Sequence, residues 1–170
     1  RKSLSYKALS KRVDIGLTEE IVSKLDNKVE WDWDALTNNP SIVFSFDFIN
    51  TNPDKPWNWS ILSGRKDLSS EVISANKDKP WNWPLIVSKD WFIPTKEVME
   101  IAATHIDDDS WRRLSNNMNL TPDVVDKFSS FIDWRVLVVQ NKAFDGMISV
   151  DFLKRHQDLI PWNSFNSRIK

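Results

Sequence analysis

Apolar and polar positions along this chain repeat a short template: an apolar residue, then Ser, Asp or Asn, an aromatic, two free positions and an aliphatic residue. It reads Leu4-Ser5-Tyr6-Lys7-Ala8-Leu9, Trp31-Asp32-Trp33-Asp34-Ala35-Leu36 and Trp57-Asn58-Trp59-Ser60-Ile61-Leu62. It continues as Trp81-Asn82-Trp83-Pro84-Leu85-Ile86 and Ile132-Asp133-Trp134-Arg135-Val136-Leu137. Asp109-Ser110-Trp111-Arg112-Arg113-Leu114 fits except at its first position, and Pro161-Trp162-Asn163 opens an incomplete seventh copy. This is the grammar of a helix start. A short oxygen-bearing side chain accepts an orphan backbone N–H at the N-cap. The flanking apolar residue and the aliphatic at N4 form a hydrophobic staple.

Between these starts runs a second template: Ser or Thr, one free position, an acid, two apolar residues. Its copies begin at Thr18, Ser45, Ser69, Thr95, Thr121 and Ser149. The hydroxyl again caps a helix, and the acid at N2 sits against the positive end of the helix dipole. Pro122 falls at N1, where a missing N–H is harmless.

Alternation of the templates predicts pairs of short helices, A (the Trp helix) and B (the hydroxyl-x-acid helix). Caps of A at Ser5, Asp32, Asn58, Asn82, Ser110, Asp133 and Asn163 step by 27, 26, 24, 28, 23 and 30 residues. A period in this range marks a repeat array. The expected fold is an all-α solenoid of about six short helix pairs, a single domain over residues 1–170. The pattern leaves open a piece of a longer array or an array whose last unit, 161–170, is incomplete. Insertions are expected at Asn141–Met147 and near Trp91. The β-branched and aromatic residues of Ser41–Ile49 and Leu137–Val139 offer a competing strand reading, which six cap-and-acid signals outweigh.

Composition changes the picture at one point. Ten tryptophans accompany only three glycines. Short helices are marginal alone and must be held by packing against their neighbours. Each has few core positions, so each position must bury much area, and an indole buries roughly 150–250 Å². At about 25 cal/mol per Å² that is roughly 4–6 kcal/mol before entropy. Trp33, Trp59, Trp83, Trp111 and Trp134 are therefore assigned to the core.

The Asp54-Lys55-Pro56-Trp57-Asn58-Trp59 and Asp78-Lys79-Pro80-Trp81-Asn82-Trp83 elements, with Leu62-Ser63 and the Asn39-Pro40 turn, resemble a tryptophan-rich tandem repeat of large amoeba-infecting DNA viruses. The likeness is strongest from Trp31 to about Trp83, and weaker at the copies with Ser5-Tyr6 and Ser110-Trp111. The resemblance implies a helical repeat protein of viral origin and carries over no catalytic residue.

The remaining chemistry is sparse. Basic and acidic residues number 23 and 24, which disfavours nucleic-acid binding through bulk charge. With no cysteine there is no disulfide or thiolate ligand, which fits a reducing compartment, host cytoplasm or virion if viral. No apolar run is long enough for a membrane span. The only histidines are His105 and His156. His105 beside Asp107-Asp108-Asp109 reads as a solvated helix end before an acidic turn, and His156 as a structural residue at a helix C-terminus. The acids and serines are absorbed as caps. No enzyme, cofactor or metal is expected.

Function is sought where the copies disagree. The first free position of helix A runs Lys7, Asp34, Ser60, Pro84, Arg112 and Arg135. A variable polar position recurring at one helical site predicts an exposed ladder for a protein partner. Arg113 stands at an otherwise apolar position, either snorkelling or functional. Three readings follow: a protein-interaction scaffold, a nucleic-acid module using Arg112, Arg113 and Arg135, and a structural array that self-associates through open ends.

Overall fold

In the computed structural model of this chain, residues 6–26 and 28–168 are described. Among them are fourteen α-helices and no strand. The helices are α1 (Tyr6–Leu9), α2 (Glu19–Leu25), α3 (Trp33–Thr37), α4 (Phe46–Thr51), α5 (Trp59–Leu62), α6 (Ser70–Ala75) and α7 (Trp83–Val87). They continue as α8 (Lys96–Ala102), α9 (Asp108–Leu114), α10 (Pro122–Lys127), α11 (Trp134–Val139), α12 (Phe144–Met147), α13 (Val150–Arg155) and α14 (Trp162–Arg168). The odd-numbered helices through α11 are the Trp helices. The even ones through α10, with α13, are their partners. The strand candidates resolve into extended chain leading to α4 and into α11 itself.

Capping explains most of these starts. Asp32, Asn58, Asn82 and Asp133 each accept the backbone N–H three residues on. Thr18, Ser45, Ser69, Thr95 and Ser149 do the same for the partner helices. At Thr121 the hydroxyl makes no such bond. Hydrogen bonding from Ser69 holds the Glu71 carboxyl below its usual range. Glu97 is lowered by its own backbone N–H and then by Thr95.

Two expected caps are corrected. Helix α9 begins at Asp108, capped by Asp107 and not by Ser110, which lies buried inside the first turn. The acidic run Asp107-Asp108-Asp109 supplies both a better cap and two dipole-matched carboxylates, so the helix nucleates a turn earlier. Trp111 consequently sits at N4. Likewise Asn163 lies within α14, which starts at Trp162 after Pro161. The expected cap Ser5 lies outside the described residues. The insertion at Asn141–Met147 folds as the extra helix α12, whose Phe144 is fully buried and meets Phe152 and Phe165 edge-on at 6.1 and 6.2 Å.

The chain divides into two compact units, Arg1–Arg65 with Lys79–Trp81, and Lys66–Asp78 with Asn82–Lys170. In the first unit Trp57 meets Trp33 edge-on at 4.9 Å, and Trp81 meets Trp59 at 4.7 Å. The Lys79-Pro80-Trp81 turn belongs to this unit through that contact. In the second unit α8 packs between α6 and α10, α7 lies against α9, and α11 against α14. The five core-assigned tryptophans are 2–8% exposed.

Two polar devices recur within these units. At the end of three Trp helices a hydroxyl donates to the Trp carbonyl four residues back: Thr37 to Trp33 at 2.6 Å, Ser63 to Trp59 at 2.7 Å, Ser115 to Trp111 at 2.8 Å. In several copies the hydroxyl oxygen at this place also accepts the amide that opens the following Trp helix. Ser10 takes Asp32 N–H at 3.0 Å and Ser115 takes Asp133 N–H at 2.9 Å. The second device is a buried asparagine. The Asn39 amide donates to Ser10 O and Arg12 O, Asn117 to Lys89 O and Phe92 O, and Asn141 to Ser115 O and Asn117 O. Each side-chain oxygen accepts the N–H two residues on. One side chain thus satisfies three backbone groups of a buried loop, which would otherwise be costly. At the matching place after α5, Arg65 reaches Phe44 O and lies over the Phe46 ring.

Candidate interaction surface

Lys7, Asp34, Ser60, Pro84, Arg112 and Arg135 are all exposed on the Trp helices. They differ in freedom. Lys7 lies 3.7 Å from Glu30, and Asp34 accepts the Asn58 amide. Arg112 and Arg135 make no ion pair among the described residues. Arg113 neither snorkels nor stands free: its Nε and guanidinium reach Asp109 Oδ2 at 2.9 and 2.8 Å. That exposed pair contributes little stability, but it neutralises one member of the basic cluster.

Grooves open between neighbouring Trp helices. In the first unit one of about 270 Å³ is lined by Lys11, Asp32, Asp34 and Asn38, among others, and one of about 180 Å³ by Asn38, Val43, Ile61 and Arg65. In the second unit a groove of about 520 Å³ runs along Lys89, Asp90, Arg113, Asn116 and Met118. A groove of about 240 Å³ adjoins it along Arg112, Arg113, Asn116 and Gln140. Of the ladder residues, Asp34 and Arg112 line these grooves, as does Arg113 beside them, whereas Lys7, Ser60, Pro84 and Arg135 do not.

Sequence reasoning missed Asn38 and Asn116. They occupy the same place, just beyond the hydroxyl that follows a Trp helix, and each divides two adjoining grooves. The signal was available in Leu36-Thr37-Asn38 and Leu114-Ser115-Asn116, where an exposed amide follows the shared apolar-hydroxyl step.

The histidines take packing roles. His105 is exposed, with Nδ1 2.9 Å from Ile101 O and its ring 5.9 Å from Trp83. His156 is buried as the C-cap residue of α13, with Nε2 2.6 Å from Asp126 Oδ1 and its ring against Trp134 at 4.8 Å. Arg155 shares the same carboxylate at 3.1 Å. Asp107 is held below the usual carboxylate range by the Ser110 hydroxyl and then by the Ser110 N–H. Among the described residues no group of His, Asp or Glu converges as a metal site, and no helix is long and apolar enough to cross a membrane. Set against protein families, curated proteins and solved structures, the chain matches none of them.

Proposed function

We propose that this chain is a non-enzymatic helical-repeat scaffold, a solenoid of about six helix pairs that presents a preformed surface to a protein partner. The viral repeat resemblance gives it a setting in which the partner is a virion or host component. Support for the stacked arrangement comes from links between one helix pair and the following pair. Asn39 reaches Ser10 O, Lys127 reaches Glu100, Asn141 reaches Ser115 O and Arg155 reaches Asp126, at separations of 26–29 residues. A near-constant separation is what one-pair translation along an array produces.

The observation that carries the functional reading is the division of labour between positions. The core tryptophans of the copies, and the end-of-helix hydroxyl and loop asparagine where a copy has them, are turned inward or bonded within the scaffold. Residues that differ at the first free position are exposed. Such a surface suits recognition, and among the described residues no acid–base or nucleophilic pair is brought together in the grooves. The Arg113–Asp109 pair weighs against a nucleic-acid module, because it leaves only Arg112 and Arg135 free in that cluster.

The test is affinity capture followed by mass spectrometry, with Arg112, Arg113 and Arg135 replaced together by Glu. A specific protein captured by the native chain and lost with an equally stable triple variant is expected. Retention by the triple variant removes this surface from the proposal. A filter-binding salt series serves as the companion experiment, with no salt-sensitive nucleic-acid binding expected.

A further inference from the structure

The two adjoining grooves of the second unit have a composition that narrows their ligand. They run between α7, α9 and α11 and share Arg113 and Asn116 at their divide. Asn116 and Gln140 are exposed, and neither side chain makes a hydrogen bond among the described residues. A carboxamide offers one acceptor and donors in one plane, the complement of a peptide group's N–H and C=O. Around them the charge is unbalanced. Asp109 is taken by Arg113, while Lys89 and Arg112 have no ion-pair partner among the described residues, against Asp90 alone. Met118, 55% exposed, adds an apolar side chain to the lining of the larger groove.

We infer that these paired grooves take an extended, acidic peptide segment, its backbone held by Asn116 and Gln140 and its carboxylates by Lys89 and Arg112. The inference rests on the scaffold reading and specifies its partner. Packed helices stand about 8–10 Å apart. An extended chain advances about 3.3 Å per residue, so each groove spans about three residues. A helical ligand bonds its own backbone N–H and C=O groups internally and would leave the two amides without a backbone partner. A single-stranded nucleic acid needs aromatic faces to stack on. No aromatic residue lines either groove, and the core tryptophans are buried.

The experiment uses the whole chain and fluorescence anisotropy with a labelled octapeptide of alternating Glu and Ser. Its controls are the Lys/Ser counterpart, an oligothymidylate of equal length and a Glu/Ser peptide N-methylated at alternate residues. Saturable binding of the acidic peptide is expected, with none by the basic one. Asn116→Ala should weaken it about fivefold, and Arg112→Glu about tenfold or more, with unchanged thermal melting. Backbone methylation should weaken binding to the native chain and have little further effect on Asn116→Ala, because the same hydrogen bond is removed twice. Absence of acidic-peptide binding, equal binding by both variants, or preferential binding of the oligothymidylate overturns the inference. A captured protein that the octapeptide does not displace overturns the groove assignment while leaving the scaffold standing. Failure of capture as well removes both.

Discussion

The two units cover the faces of their tryptophans with different chemistry at the same place. In the first, Lys55 lies 5.3 Å over Trp33 and Lys79 lies 5.6 Å over Trp59. In the second, Trp83 meets His105 at 5.9 Å, Trp111 meets Phe131 at 5.1 Å and Trp134 meets His156 at 4.8 Å. Every cover comes from the turn before the following Trp helix, 20 to 22 residues beyond the tryptophan. What repeats is therefore a geometric requirement, a group laid on an indole face. Ammonium, imidazole and phenyl groups all meet it, by cation–π attraction or by ring contact. The regular Asp-Lys-Pro-Trp element is one solution, and the units that lack it use another.

The largest effects test whether the tryptophans are equivalent under their different covers. Trp59→Ala in the first unit and Trp111→Ala in the second should each cost about 3–5 kcal/mol. Chemical denaturation measures both. Near-native stability of either variant removes that indole from the core and breaks the equivalence. Smaller losses come from the loop asparagines. Asn39→Ala and Asn117→Ala each strand buried carbonyls of the preceding loop and should cost about 2–3 kcal/mol. Because Arg65 already replaces the amide after α5, Arg65→Ala should cost less than either, and an equal loss would show a deeper role for its Phe44 and Phe46 contacts.

The covers themselves come next. Phe131→Ala removes a ring stacked on Trp111 at 17° and should cost about 1 kcal/mol. Lys79→Ala should cost about 0.5–1 kcal/mol, and Lys79→Phe should be tolerated if a cover of either chemistry suffices. A loss for Lys79→Phe exceeding that for Lys79→Ala, read from thermal melting, would make the cation itself the requirement.

Local rules made the helices legible, because an N-cap and the acid after it lie within one turn of sequence. Asp32, Asn58, Asn82 and Asp133 could be read directly. Ser110 could not, since a template anchored on Trp111 favoured the nearest cap-like residue over Asp107, three residues earlier. The covers were illegible for a different reason. Lys55 and Phe131 share no residue type, and only the fold brings each to its tryptophan. Arg113 differs: its partner Asp109 stands four residues earlier, a local spacing, and only the apolar register of the other copies drew attention from it. Charge ladders such as Lys127 to Glu100 are, like the covers, long-range pairings of common residues, which no local pattern distinguishes from solvated surface.

The finest comparison sets one cap of each unit against the other, and it is titratable. Helix α5 is capped by Asn58, which has no proton to gain, whereas α9 is capped by Asp107. The Asp107 oxygen accepts both the Ser110 hydroxyl at 2.6 Å and the Ser110 N–H at 2.9 Å. These bonds favour the carboxylate and lower its pKa in the folded chain. A lowered folded value means that the stabilisation is fully present above the unfolded carboxylate range and is lost as pH falls through the folded pKa. Acidification should therefore loosen the start of α9 while leaving the cap of α5 intact. Hydrogen exchange at Ser110 and Trp111, compared with Ile61 and Leu62, reads the two ends separately. Asp107→Asn keeps a good cap without the charge, so it should flatten the pH dependence at α9 and leave α5 unchanged. Equal acid sensitivity at both helices, or an unaltered profile in Asp107→Asn, would show that acid acts on the chain as a whole and that the α9 cap makes no separate contribution.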